Sequence, residues 1–412
     1  MRNMQSALSM ALTTLLVGAS QAAFAQGKEV SARLGLERRV ESTPSSDTTG
    51  PDPQAASAPP PAEPTSPQSP SPAPPANQTS PPPAASSEKA FILRWFELQN
   101  ATLNLRYRFV DTSTGAITTN QVQYKATLRG RVKFDKPGRY SLYFGVFTGT
   151  KFTSSWDNTG WGINDAQKNL AFKALYFSAQ PIDGIECQVG GIYIVKGEST
   201  EITTYDDDGY ITGERVSLRR PKQLFFDEIS VTNAYFVGGT GPDNVPVGVR
   251  LPHIGESNYR QFLVNKRVGK RAAVSADFTL ETGRRTWHQA VNLKLPEVRV
   301  VDSFIFEQYE RTNIDSAHGF AISFAKQLTK HFSLSQFGYA RIDPKNGPLN
   351  ADRFNIGNRA FVTATYVFSP EFTASFFITT AVGQNGVLPQ RTVTNTAFTY
   401  NVLPLLKRTG FF

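Results

Sequence analysis

Residues 121–134 (QVQYKATLRGRVKF) alternate polar and apolar side chains with little interruption over fourteen positions. Such alternation predicts a β-strand with one apolar and one polar face. A strand of a soluble protein has about 5–6 residues, whereas a tilted strand that crosses a bilayer needs about 9–11. The polar face of this stretch is strongly basic. The stretch therefore predicts one wall strand of a membrane-spanning pore.

The same two-faced pattern recurs along the chain. Further apolar rows begin at Leu103, Ala272, Phe320, Ala360 and Phe372. Short turn sequences alternate with longer polar connections, as in outer-membrane barrels with short turns on one side and long loops on the other. Seven turns and eight loops predict an all-β fold, a transmembrane antiparallel β-barrel of about sixteen strands with both ends on the periplasmic side.

The predicted seventh strand, residues 245–251, is the weakest of the series. It contains Pro246, which lacks a backbone N–H and disfavours the interior of a sheet. A barrel of about fourteen strands is therefore the alternative. The predicted turn before it covers 238–244, and the loop before the sixth strand covers 196–223.

The N-terminal end predicts export. Arg2, an apolar run from Met10 to Val17 and the Ala23-Phe24-Ala25 site indicate a signal peptide over 1–25. Elsewhere no apolar run reaches about 18 residues, which excludes helical spans. The single Cys187 cannot form an intramolecular disulfide. These observations favour the bacterial outer membrane over a secreted β-protein.

Four segments follow the predicted signal peptide. Residues 26–42 are a short segment and a candidate for a helix. Residues 43–87 are a Pro-rich linker, which we expect to be disordered and extended. Residues 88–99 fit either a short helix or the start of the first strand. The barrel is predicted over 100–412. The linker is long enough to serve as a periplasmic arm towards the cell wall, so a structural anchor is an alternative function.

Basic residues concentrate on the polar faces of the first two strands. In a barrel these side chains point into the lumen, where close positive charges attract anions and repel cations. We predict that the pore is lined by Arg106, Arg108, Lys125, Arg129, Arg131 and Lys133. This favours a porin for the passive diffusion of small hydrophilic solutes, with a preference for anions, and requires no cofactor.

The predicted loop 196–223 carries the complementary charge. Its acidic residues are Glu198, Glu201, Asp206, Asp207, Asp208 and Glu214. With two basic strands and an acidic third loop, residues 100–412 resemble the sixteen-stranded porins. In those porins the third loop folds inward opposite a row of basic residues, called the basic ladder. The resemblance implies that Asp206, Asp207 and Asp208 are constriction acids, that Arg106, Arg129 and Arg131 form the ladder, and that the chain assembles as a homotrimer. Pro404 and the residues after it interrupt the clean final strand that these porins have.

Other functions fit the sequence less well. Asp206 and Asp208 are a weak calcium candidate, because carboxylates beside a glycine suit a hard cation but lack the EF-hand spacing. The four histidines, His253, His288, His318 and His331, are scattered, so a barrel lipase is a weak alternative and we predict no enzyme. The net charge of +9 does not indicate nucleic acid, because the basic residues alternate with apolar ones.

Overall fold

Long antiparallel strands make up most of the chain from Phe96 onward. The computed structural model describes residues 94–112, 115–149, 155–156, 159–162, 170–198, 200–204, 210–219, 225–236, 250–313, 316–343, 357–383 and 391–409. The predicted signal peptide, the segment 26–42 and the Pro-rich linker lie outside these residues. The segment 88–99 is described from Arg94, and its last part is strand, because the first strand begins at Phe96.

Within the described residues the strands follow one another with a few short helical turns. They are β1 (Phe96–Thr112), β2 (Ile117–Lys133), β3 (Tyr140–Thr148), β4 (Gly160–Gly162), β5 (Leu170–Ile182), β6 (Ile185–Tyr193), β7 (Tyr210–Leu218), β8 (Glu228–Tyr235), β9 (Tyr259–Val268), β10 (Ala272–Glu281), β11 (Arg284–Lys294), β12 (Ser303–Arg311), β13 (Ala317–Gln327), β14 (Phe332–Ile342), β15 (Gly357–Val367), β16 (Phe372–Ala381) and β17 (Arg391–Asn401).

Each strand pairs with its neighbour in the chain, and β17 pairs with β1, with Thr102 opposite Asn401. The sheet therefore closes on itself and leaves no unpaired edge, as a membrane-spanning sheet requires. The segments β3 and β4 count as one strand of the ring. The described residues thus form a closed antiparallel barrel of sixteen strands, which confirms the predicted fold class.

The third strand of the ring is interrupted. Its first part, β3, pairs with residues 127–133 of β2, and its second part, β4, pairs with residues 121–123 of the same strand. Between the two parts lies an insertion, residues 149–159 of the sequence. Two residues of this insertion, Ser155 and Trp156, are described and contact the inner wall.

The two faces of the barrel are the reverse of those in a soluble protein. Along β1, Leu103, Leu105 and Tyr107 are exposed, whereas Arg106 between them is buried. The same contrast holds along β16, where Phe376 is exposed on the outside. An apolar outer face and a polar interior are what a barrel in lipid needs.

Aromatic rings cluster near the turns at the end of the barrel where β1 begins. Phe134 and Tyr140 flank the β2–β3 turn and both lie near Phe177, at ring distances of 6.0 and 6.5 Å. Phe368 and Phe372 flank the β15–β16 turn 5.2 Å apart. Aromatic residues at this level form the girdle that meets the lipid–water interface.

We expect Phe376→Arg to destabilise the barrel in lipid by about 2–4 kcal/mol, because it places a guanidinium in hydrocarbon at the middle of β16. Ser375→Arg is the matched control, because Ser375 faces the interior, and its cost should stay below about 1 kcal/mol. Urea unfolding in phospholipid vesicles measures both. Equal losses for the two variants would contradict the assignment of the faces.

The prediction misses one strand and adds one that has no place in the ring, although the total of sixteen is right. The sixth strand is β7, which lies inside the stretch predicted as the loop 196–223. The predicted seventh strand, 245–251, is also wrong: β8 pairs directly with β9 and leaves no place in the ring for a strand between them. Of its residues only 250 and 251 are described, and residues 251–253 form a 3-10 turn. Pro246 explains the second error. The first arose because Glu214 and Arg215 gave β7 the composition of a polar loop.

The chain leaves the barrel after β17 in a short helix, α1 (Leu403–Arg408). This agrees with the expected interruption of the final strand at Pro404. Arg408 forms an ion pair of 2.6 Å with Glu371 in the β15–β16 turn, and the Ser369 hydroxyl helps to keep the pKa of Glu371 below its usual value. Among the described residues, no helix is long and apolar enough to cross a membrane.

Candidate functional site: a loop inside the barrel

Residues 194–198 and 200–204, together called the inward loop from here on, lie in the interior of the barrel after β6. The side-chain amide of Gln261 on β9 donates to the Val195 carbonyl at 2.9 Å. The backbone N–H of Glu198 donates to Asn265 Oδ1, also on β9, at 3.0 Å. The loop therefore leaves β6 and is fixed to strands that are not its neighbours in the sheet.

A buried carboxylate holds the far part of the inward loop. Glu307 on β12 is 0% exposed. Its oxygens accept the backbone N–H groups of Glu201, Ile202 and Thr203 at 2.9–3.1 Å, and also the Thr203 hydroxyl at 3.0 Å. Three consecutive N–H groups directed at one carboxylate form an anion-binding nest. The nest and Glu307 together fix the loop against the wall.

A histidine on the next strand holds the same part of the loop. His288 on β11 lies between the Asp277 carboxylate, 3.0 Å from Nδ1, and the Thr203 carbonyl, 3.0 Å from Nε2. Both partners are acceptors, so the ring that satisfies both carries a proton on each nitrogen. His288, Asp277 and Glu307 thus form a buried, hydrogen-bonded attachment for the loop.

An apolar contact completes the attachment. Ile202 is 0% exposed and packs in a cluster with inward-facing residues of four strands. Its partners are Ala321 on β13, Ala340 and Ile342 on β14, Phe361 on β15 and Phe377 on β16. These apolar side chains face the interior and bury Ile202 between them. Their location marks where the loop crosses the interior.

The inward loop lies across the barrel from the basic strands. In the ring of sixteen strands, β10 and β11 stand eight positions from β1 and β2 in either direction. The loop is attached to β9, β11 and β12, whereas the predicted basic residues lie on β1 and β2. The loop therefore narrows the lumen between its own surface and the basic wall.

The structure places the predicted basic residues on the inner face. Arg106 donates to the side-chain oxygen of Gln123 on β2 at 2.6 and 2.9 Å. Arg108 and Lys125 share this face and lie opposite Gln121 and Asn104 in the β1–β2 register. Pairing of the two strands thus brings the basic residues of both into one row.

At the end of the basic row next to the β2–β3 turn, an acidic residue that the sequence analysis missed neutralises part of the positive charge. Glu97 at the start of β1 pairs with Arg131 at 2.8 Å and with Lys133 at 2.9 Å. Arg131 also donates to the Tyr143 hydroxyl at 2.9 Å. Glu97 belongs to the segment left open between helix and strand. Its register opposite Arg131 becomes apparent only once β1 is known to begin at Phe96.

The predicted acidic residues separate into three groups. Glu198 and Glu201 lie in the inward loop, where Glu198 forms a 2.9 Å ion pair with Arg267. Asp206, Asp207 and Asp208, which include the calcium candidate, lie outside the described residues. Glu214 does not belong to the loop. It lies on the outer face of β7 and accepts a hydrogen bond from Asn233 at 3.1 Å, so its predicted constriction role is wrong.

A second connection also contributes to the interior. Arg250, just before the 3-10 turn 251–253, is 2% exposed. It donates to the Lys173 carbonyl at 2.8 Å and stacks on the Tyr210 ring at 4.1 Å. Burial lowers the pKa of the Arg250 guanidinium to about 10, so it remains charged at neutral pH. Its position after a Pro-containing stretch gave no sequence signal.

The histidines do not converge. His253 contacts Glu256 and His331 contacts the Val367 carbonyl, each near a barrel end, and His318 is exposed on β13. His288 forms a pair with Asp277, but its other ring nitrogen meets a backbone carbonyl and not a hydroxyl nucleophile. Within the described ranges, no group of three or more His, Cys, Asp or Glu side chains could hold a metal ion.

A closed barrel of sixteen antiparallel strands, with a loop attached inside it opposite a basic row, has the architecture of a porin-type barrel. The predicted resemblance is confirmed at this level. No protein-family model matches the sequence, and no curated protein matches it.

Among solved structures, the chain is similar to OprB of Pseudomonas putida, determined at low pH, with 9% identity and a TM-score of 0.47 over 76% of this chain and 95% of that one. It is also similar to Salmonella typhi OmpF in complex with daunomycin, with 11% identity and a TM-score of 0.48 over 74% and 97%. A mutant of the Rh. blastica porin is similar as well, with 8% identity and a TM-score of 0.46 over 74% of this chain and 99% of that one. The strand count and the inward loop rest on this chain's own geometry.

Proposed function

We propose that the chain is an outer-membrane channel for the passive diffusion of small hydrophilic solutes, with a preference for anions. The observation that carries the proposal is the inward loop, attached to β9, β11 and β12 across from the basic row of β1 and β2. A narrowed lumen bordered by fixed positive charges raises the local concentration of anions and lowers that of cations.

The proposal includes a setting for the barrel. Its apolar outer face contacts outer-membrane lipid, and both chain ends lie on the periplasmic side, as an even number of strands requires. Assembly as a homotrimer belongs to the same proposal. The alternative function, a link to the cell wall through the Pro-rich segment 43–87, concerns residues outside the described ranges. Its test is to delete that segment and to measure whether the outer membrane detaches from the cell wall.

Planar-bilayer recordings across a salt gradient test the channel function. We expect discrete conductance steps and a reversal potential of the sign for anion selectivity. The selectivity should weaken as salt rises from 0.1 to 1 M, because the Debye length falls from about 10 to about 3 Å. Absence of steps contradicts the channel, and a reversal potential of the opposite sign contradicts the anion preference alone.

A further inference from the structure

Aromatic rings lie against the basic row at the narrowed level of the lumen. The Arg106 guanidinium lies 4.1 Å from the centre of the Trp156 ring, and Lys125 Nζ lies 5.9 Å from it. Arg129 lies 5.0 Å from the Phe147 ring and 4.8 Å from the Tyr193 ring. Three of the cationic groups therefore contact an aromatic face, within the range of cation–π attraction.

The position of Trp156 is fixed by hydrogen bonds of its own segment. Its carbonyl accepts the Thr159 hydroxyl at 2.8 Å and the Gln123 amide at 3.4 Å. The neighbouring Ser155 carbonyl accepts the Thr148 hydroxyl at 3.0 Å. The insertion between β3 and β4 thus places a large indole ring on the basic wall of a polar lumen.

The second aromatic contact depends on a glycine. Gly145 on β3 faces the interior between Phe147 and Tyr193, and a Cβ there would collide with the Tyr193 hydroxyl and the Phe147 ring. The missing side chain gives both rings the space to enclose Arg129. The Tyr193 ring also meets Tyr176 edge-on at 6.2 Å. Rings and cations therefore alternate along this part of the wall.

We propose that this wall is a binding subsite for planar aromatic anions, of which benzoate is the simplest probe. The inference rests on the proposed channel function and names a class of solute for it. Guanidinium groups are weakly hydrated and stack on planar π systems, and they also bind carboxylates through their N–H groups. A benzoate-like solute meets both requirements at once, with its ring against Trp156 and Tyr193, which are half-buried, and its carboxylate among the cations; Phe147 is buried and only supports the wall.

Other solutes meet only one of the two requirements. A saturated carboxylate of similar size has the charge but no π face, and an aromatic cation has the face but is repelled by the row. The difference in binding free energy between an aromatic and a saturated carboxylate should therefore equal the free energy of the stacking contact. A cation–π or aromatic contact of about 1–2 kcal/mol corresponds to about a 5- to 30-fold difference in affinity.

The test compares benzoate with cyclohexanecarboxylate on the full-length protein in two separate measurements. Calorimetry in detergent measures binding, and planar bilayers measure the block of chloride current. We expect benzoate to bind and block with at least about fivefold higher affinity. Trp156→Leu should remove most of this preference and Trp156→Phe should retain it, because only the second keeps an aromatic face beside the cations.

The outcomes separate the two proposals. Equal affinities for the two carboxylates, or a preference that survives Trp156→Leu, would overturn the subsite while leaving the channel intact. Benzoate binding that depends on Trp156 without any conductance would overturn the channel and retain the subsite. Absence of benzoate binding to a correctly folded, conducting barrel overturns the subsite alone.

Discussion

Replacing Glu307 with alanine is expected to release the inward loop from the barrel wall. The substitution removes the acceptor of three backbone N–H groups and of the Thr203 hydroxyl. A buried donor left without a partner costs about 1–3 kcal/mol. A loss of about 3 kcal/mol in the local opening free energy increases the open population on the order of 100-fold.

Limited trypsin digestion measures this opening, because Lys196 lies within the inward loop. Cleavage after Lys196 follows the open population when reclosing is fast, so its rate in Glu307→Ala should rise by a similar factor. Cleavage after Lys330, in the β13–β14 turn, should not change and serves as the internal standard. Glu310→Ala on the outer face of the same strand is the matched control.

The same variant should change the channel. A released loop no longer narrows the lumen at a fixed position, so single-channel current is expected to rise and to fluctuate more. A folded Glu307→Ala barrel with wild-type cleavage after Lys196 and wild-type current would show that Glu307 does not hold the loop. Heat-modifiable migration on a gel confirms that each variant is folded.

Lowering the positive charge of the basic row is expected to weaken the anion selectivity of the pore. In Lys125→Glu combined with Arg129→Glu, each substitution exchanges a positive for a negative charge on the inner face of β2. Fixed charges in a narrow lumen change local ion concentrations by about tenfold or more at low salt. The row then carries four positive and two negative charges instead of six positive ones, so the reversal potential in a salt gradient should move markedly towards zero.

The control for this variant carries the same change in net charge elsewhere. Lys270→Glu combined with Lys330→Glu alters two exposed turn residues at the end of the barrel. Screening over about 8–10 Å isolates such exposed charges from the narrowed level at physiological salt. The control should keep the wild-type reversal potential. If both double variants shift the reversal potential equally, overall charge and not the basic row sets the selectivity.

Alternation carried most of the fold prediction. The rows that begin at Leu103 and Phe372 are regular because one strand face meets lipid and the other faces the lumen. The prediction failed at β7, where inward Arg215 and outward Glu214 are adjacent. A charged residue on the outer face in the middle of β7 breaks the apolar row there, so the periodic signal disappears. The two strand errors compensated each other and left the total unchanged.

The candidate site was predictable only in part. The basic row follows from the period of β1 and β2, since every second residue of a strand shares a face. The attachment of the loop does not follow from any local pattern. Thr203 and Glu307 lie 104 residues apart, and the sequence around each shows only a polar stretch. Trp156 was likewise assigned only to a long loop, because nothing local indicates that the insertion turns inward.

The sequence by itself determined which residues can face lipid and which can face the lumen, because strand periodicity is a local property of the backbone. It also determined the basic character of one part of the inner wall. Only the tertiary structure decided that the loop after β6 crosses the interior and is held there by Glu307, His288 and Ile202. Closure of the ring places β1 and β2 opposite β10 and β11, and that distance across the barrel is not encoded in any single stretch of the chain.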